Sequence, residues 1–193
     1  MSKFDSKYII TMKDIVREGA EILRVDTAEV SLPITDEVKE ELQCMLQYLK
    51  NSQDETMAKK YKLRAGSGLS ANQIGINKRM FAALFKDEKN IEQEYMLINP
   101  KIISHSLNMI YLPEGEGCLS VDREVEGFVP RYERIKVKAF DITGKEVVYR
   151  FKGYGSILMQ HEIDHLNGIM FYDRINKDHP FKLPDNISIE SLY

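Results

Sequence analysis

Two histidines four residues apart, His161 and His165, constrain this chain more than any other feature. On a helix such a pair lies one above the other, so both rings can reach a single metal ion. Glu162, between them, is turned about 100° around the axis. It can therefore stand beside water at that ion as a proton acceptor without being a ligand itself. A His-Glu-x-x-His segment is a metallohydrolase signature. Ile157 and Leu158 share the histidine face, Ile163 and Leu166 add apolar surface beside it, and Asn167-Gly168 reads as the C-terminal stop. The plainer alternative is two ordinary histidines on a helix face. Against it, two of the chain's four histidines fall in this one motif.

A catalytic ion usually takes three protein ligands and keeps one position open. The longer pattern HExxHxxGxxH is matched at Gly168 but has Phe171 where the last histidine should stand. Glu190, at a distance used by another group of zinc peptidases, falls in a short polar tail after Pro184. Cys118, within Glu116-Gly117-Cys118-Leu119-Ser120, is the better third ligand. A thiolate suits iron or zinc, and the flanking glycine lets the backbone approach a metal closely. Cys44 instead falls among Val38, Leu42, Met45, Leu46 and Leu49, the apolar face of a helix starting at Thr35-Asp36, and reads as a small buried hydrophobe.

With a third motif, Gly66-Ser67-Gly68-Leu69-Ser70-Ala71-Asn72-Gln73, the chain resembles peptide deformylase from about residue 10 to 180. Glu116–Ser120 and Gln160–His165 are the other two motifs, and all three stand in that family's order. Ser67 stands where an aliphatic residue is common, Ser70 where the first alanine is usual and Asn72 where proline is common, while Gly68 and Gln73 are retained. The stretch from Asn51 to Arg64 resembles the insertion of the longer class of the family, typical of Gram-positive bacteria.

The resemblance implies removal of the formyl group from the N-terminal formyl-methionine of newly made polypeptides, with formate released. It implies one divalent ion on Cys118, His161 and His165, Fe(II) in the cell, with Zn, Ni or Co able to replace it in purified protein. Glu162 is then the general base, and the Gln73 amide and the Leu119 backbone N–H hold the charge that develops on the carbonyl oxygen. Tyr154, Ile157 and Leu158 would line the methionine pocket, and the Gly66–Gly68 segment would pair with the peptide as an added strand. A metallopeptidase and a purely structural metal site are the rivals. Phe171 and Cys118 speak against the first, and the retained Glu162 against the second.

Length and composition agree with one catalytic domain over residues 1–193. No apolar run approaches membrane-spanning length, the N-terminus is polar, and two distant cysteines fit a reducing bacterial cytoplasm without disulfides. A net charge of −3 makes the Lys59-Lys60-Lys62 run a solvated face rather than a nucleic-acid patch. A monomer is expected, with no membrane and at most a passing ribosome contact. The fold class is α+β, antiparallel sheets around a central metal-binding helix. The spacing predicts helices over about 35–50 and 155–167, strands at 79–85 and 95–98, and a hairpin of 135–140 with 146–151 turning at Asp141–Gly144. Ile187 and Ile189 alternate as an edge strand would.

Overall fold

The computed structural model describes residues 2–5, 7–185 and 187–193. Helix α1, Asp36–Gln53, opens where Thr35 accepts from the Val38 N–H, and a short helix α2, Glu55–Tyr61, follows it. Strands β1 (Gly68–Ser70), β2 (Met80–Lys86), β3 (Glu92–His105), β6 (Arg134–Phe140) and β7 (Glu146–Lys152) form one antiparallel sheet in the order β1-β2-β3-β6-β7. Strands β4 (Met109–Tyr111), β5 (Arg131–Tyr132) and β8 (Ile189–Ser191) make a second, small sheet in the order β5-β4-β8. Helix α3, Gly153–Leu166, follows β7 directly.

The apolar run at 80–85 lacks strand-like alternation because β2 is covered on both sides. Met80, Ala82 and Leu84 join the cluster built on α1, whereas Phe81, Ala83 and Phe85 join the one built on α3. In β6 the alternation is plain: Ile135, Val137 and Ala139 are buried, while Arg134, Lys136 and Lys138 face outward. All but Tyr154 of the 14 residues of α3 are buried, so the helix that carries both histidines runs through the interior. It ends at Gly168, whose φ of +68° is left-handed. A Cβ there would lie 2.6 Å from the Arg24 backbone, so the stop needs glycine for both space and conformation.

The α+β class and the buried central helix are as the sequence reads. Two details differ. Strand β3 is 14 residues long rather than four, because its irregular register, with shifts between Ile98 and Lys101 and again between Ile102 and Ser104, breaks the alternation. The insertion, whose polar residues suit a solvated helix or loop, forms the short helix α2 with none of its residues buried. The tail strand β8 does lie at an edge, but it pairs with β4 in parallel.

Candidate metal centre and active site

Three elements converge on one point. Helix α3 brings His161, Glu162 and His165, the turn after β4 brings Cys118 and Leu119, and the end of β1 brings Ser70 and Gln73. Ligand atoms of Cys118, His161 and His165 all lie within 4.8 Å of one another, and Cys118 Sγ is 3.2 Å from His165 Nε2. Phe171, at the position where the longer peptidase pattern has its third histidine, stacks on the His161 ring with centroids 6.1 Å apart.

His161 is oriented as a metal ligand requires, whereas the buried His165 Nδ1 has no hydrogen-bond partner among the described residues. His161 Nδ1 is 2.8 Å from Glu116 Oε2, which leaves Nε2 for the centre. Arg131 Nε and Nη2 donate to the two Glu116 oxygens at 2.7 and 2.8 Å, and Arg131 Nη1 also pairs with Asp164. Burial alone would favour a neutral Glu116, but Arg131 outweighs it and holds the carboxyl down at about 2. Burial, then the neighbouring His161, pushes His165 well below the usual imidazole range, so that ring is neutral and able to ligate. Burial opposes charge on His161, yet hydrogen bonds to Cys118 and Glu116 raise it well above its ordinary value. A proton resting on this cluster is one that a cation would displace. A thiolate and two imidazoles, with room for a fourth donor, fit a divalent transition-metal ion of the iron and zinc kind.

Glu162 is buried beside these donors. Ser70 Oγ is 2.7 Å from Glu162 Oε2, and a Cβ built on Gly68 would lie 2.2 Å from Glu162 Oε1. Burial pushes the Glu162 carboxyl above its ordinary value, while His161 and the Ser70 hydrogen bond pull the other way. The glycine that the carboxylate needs is therefore Gly68. Gly117, expected to allow close backbone approach, faces open space where its Cβ would be.

The cleft above the centre holds about 250 Å³. It is lined by Gly66, Ser67, Gly68, Gln73, Cys118, Leu119, Tyr154, Ile157, Leu158, His161 and Glu162. Every residue expected at the site thus lines the cleft except His165, which lies beneath it and is 1% exposed. Gln73 is more committed than the sequence suggests. Its Oε1 accepts from the Ser70 N–H at 2.9 Å, and its Nε2 faces Ser120 Oγ at 3.1 Å and Cys118 Sγ at 3.4 Å. The Leu119 N–H has no protein acceptor among the described residues.

Sequence reasoning missed the supporting groups. Arg131 lies in the two-residue strand β5, too short for a periodic signal, although its partners Glu116 and Asp164 both lie inside recognisable motifs. The three departures from the family pattern each reach α3. Tyr154 Oη donates to Ser67 Oγ at 3.0 Å, Ser70 meets Glu162, and Asn72 Nδ2 donates to the His165 carbonyl at 2.6 Å.

A sequence model of the polypeptide deformylase family matches residues 12–181. The chain is 55% identical over 180 residues to a peptide deformylase of Oceanobacillus iheyensis, covering 93% of this chain and 98% of that protein. It is 52% identical over 183 residues to peptide deformylase 2 of Bacillus subtilis, covering 94% of this chain and 100% of the relative. Among solved structures, the peptide deformylase of Ehrlichia chaffeensis superposes with a TM-score of 0.73 at 27% identity, covering 89% of this chain and 90% of the other. The chain belongs to the polypeptide deformylase family, metallohydrolases that remove the formyl group from the N-terminal formyl-methionine of newly made polypeptides.

Proposed function

We propose that this chain carries out deformylation with Glu162 as general base, at an ion held by Cys118, His161 and His165. The observation that carries the reading is the convergence of those three donors with a buried carboxylate set closely between Gly68 and Ser70. When bound, the ion supplies Lewis acidity, making water more acidic and the formyl carbonyl more electrophilic. Glu162 takes the proton of the attacking water as oxygen bonds to the formyl carbon. It then passes a proton to the amine nitrogen as the C–N bond breaks, so amide and water become formate and a free N-terminal methionine. Burial keeps the carboxyl basic enough for the first step, and Ser70 holds one oxygen so that the other faces the reaction.

The Leu119 N–H, free of any protein acceptor among the described residues, donates to the formyl oxygen as it gains charge. Gln73 adds a second donor through the hydrogen now directed at Cys118 Sγ, since that 3.4 Å contact is long and readily shared. Tyr154, Ile157 and Leu158, one to two turns before the ligands, form the apolar wall for methionine, and the peptide backbone adds as a strand along the Gly66–Gly68 segment, where β1 is the outermost strand of its sheet.

We assign Fe(II) as the ion in the cell on the resemblance to the family, and Zn, Ni or Co are able to replace it because thiolate and imidazole ligands accept all of them. The same reading makes the chain one catalytic domain over residues 1–193, working as a monomer in the bacterial cytoplasm with at most a passing ribosome contact. Free Cys44 and Cys118 support a reducing compartment, and among the described residues no helix is long and apolar enough to cross a membrane. The test is formate release from formyl-Met-Ala by anaerobically prepared iron or nickel protein, beside an unformylated Met-Ala-Ser peptide. Cleavage of the unformylated peptide bond, or metal binding without turnover, would overturn the reading.

A further inference from the structure

The turn that carries Cys118 and Leu119 is gripped by a side chain from the insertion, Arg64. Its Nη2 lies 3.1 Å from the Cys118 carbonyl oxygen, and Nη1 and Nη2 both lie 3.2 Å from that of Val121. Nη1 also donates to Asp122 Oδ1 at 2.8 Å, while Arg17 Nε takes the other Asp122 oxygen at 2.8 Å. The Arg64 backbone is itself anchored, for Tyr48 Oη on α1 donates to the Arg64 carbonyl at 2.9 Å. The guanidinium therefore stands between two fixed points, α1 on one side and the metal-ligand turn on the other.

The Cys118 carbonyl and the Leu119 N–H belong to one planar peptide unit, so whatever holds the oxygen also aims the hydrogen. A cationic donor on that oxygen polarises the unit and makes its N–H a stronger donor. The Val121 N–H also reaches the Cys118 oxygen, at 3.1 Å, but it carries no charge. We infer that Arg64 is a positioning residue for deformylation: by gripping the Cys118 carbonyl it aims and strengthens the Leu119 N–H toward the formyl oxygen. This rests on the role given to Leu119 above, and it gives the insertion a task at the site. A lysine could supply charge there, but not the planar fork that spans the Cys118 and Val121 carbonyls and Asp122 together.

The side chain is 44% exposed, so Arg64→Ala removes the grip without opening the core. Nickel-loaded Arg64→Ala should show kcat lowered about tenfold with KM within twofold of the parent. Metal content and melting temperature should be unchanged. Arg64→Lys should fall between the two, and added guanidinium should restore part of the rate to Arg64→Ala but add nothing to the parent. Arg17→Ala, which loosens Asp122 without touching the Cys118–Leu119 unit, should keep kcat within twofold. Independently of turnover, amide exchange at Ser120 and Val121 should rise several-fold in Arg64→Ala. A kcat within twofold of the parent, a loss confined to KM, no rescue, an equal loss in Arg17→Ala or unchanged exchange would each overturn the inference. A parent without formate release would instead refute the assigned reaction, and the exchange rates would still decide whether Arg64 holds the turn.

Discussion

Gly68→Ala presses most directly on the general base, Glu162. A Cβ at residue 68 would lie 2.2 Å from Glu162 Oε1, 2.5 Å from Cδ and 2.8 Å from Cγ. Ordinary contact begins near 3.4 Å, so the carboxylate must retreat by roughly 1.2 Å. It cannot do so and keep its 2.7 Å bond to Ser70, whose hydroxyl is fixed in a fully buried position. The obstacle is the end of a side chain rather than backbone, and Gly68 does not sit at positive φ, so the fold should survive. A misplacement of about 1 Å at a reacting group costs on the order of 10²-fold in rate. The expected result is therefore kcat lowered about 10²-fold with metal content and melting temperature close to the parent. Formate release under saturating formyl-Met-Ala, with metal analysis and a thermal melt of the same sample, measures all three. If kcat stayed within threefold of the parent in folded, metallated protein, the placement of the Glu162 carboxylate against β1 would be wrong.

Gln73→Ala should lower kcat by about 10²–10³-fold while leaving residual turnover, since one of two oxyanion donors is lost; turnover equal to the parent would remove Gln73 from the reaction. The anaerobic iron form should lose activity on exposure to air or peroxide, because ion and thiolate are both oxidisable; a confirmed iron preparation that kept its activity in air and peroxide would refute this. Acid stability should carry the mark of Glu116. Its folded carboxyl lies at about 2, below an unfolded value of 4.5, so its stabilisation is complete above 4.5 and lost as pH falls toward 2. In metal-free protein, Glu116→Gln should flatten the loss of melting temperature across that window, and an unaltered acid slope would show that Glu116 is not held by Arg131.

The parts of this molecule that were legible in sequence are those with local periodicity or fixed spacing. The i,i+4 histidines announced α3, the Val38–Leu49 pattern announced α1, and the Asp141–Gly144 turn announced the β6–β7 hairpin. Cys118 was reachable by elimination, because only one other cysteine exists and that one suits a helix core. The length of β3 was hidden by its irregular register, and the short β4 and β5 carry too few residues to alternate. The supporting electrostatics were hidden for a different reason. Arg131, Glu116 and Asp164, with the exposed Arg174, come together only in three dimensions, and such an ion-pair network leaves no spacing in the chain. Ser70 was visible as a departure from the family pattern, yet nothing in one dimension shows its hydroxyl meeting Glu162.

The central claim is that a buried Glu162 works as the base beside a Cys/His/His ion, and single-turnover formate release by matched nickel-loaded parent and Glu162→Ala protein tests it most directly. One formate per bound ion is expected from the parent, and from Glu162→Ala a rate lower by about 10²–10⁴-fold with the ion and the formyl peptide still bound. Equal rates from the two proteins would contradict it, and would move the proton-accepting role away from α3.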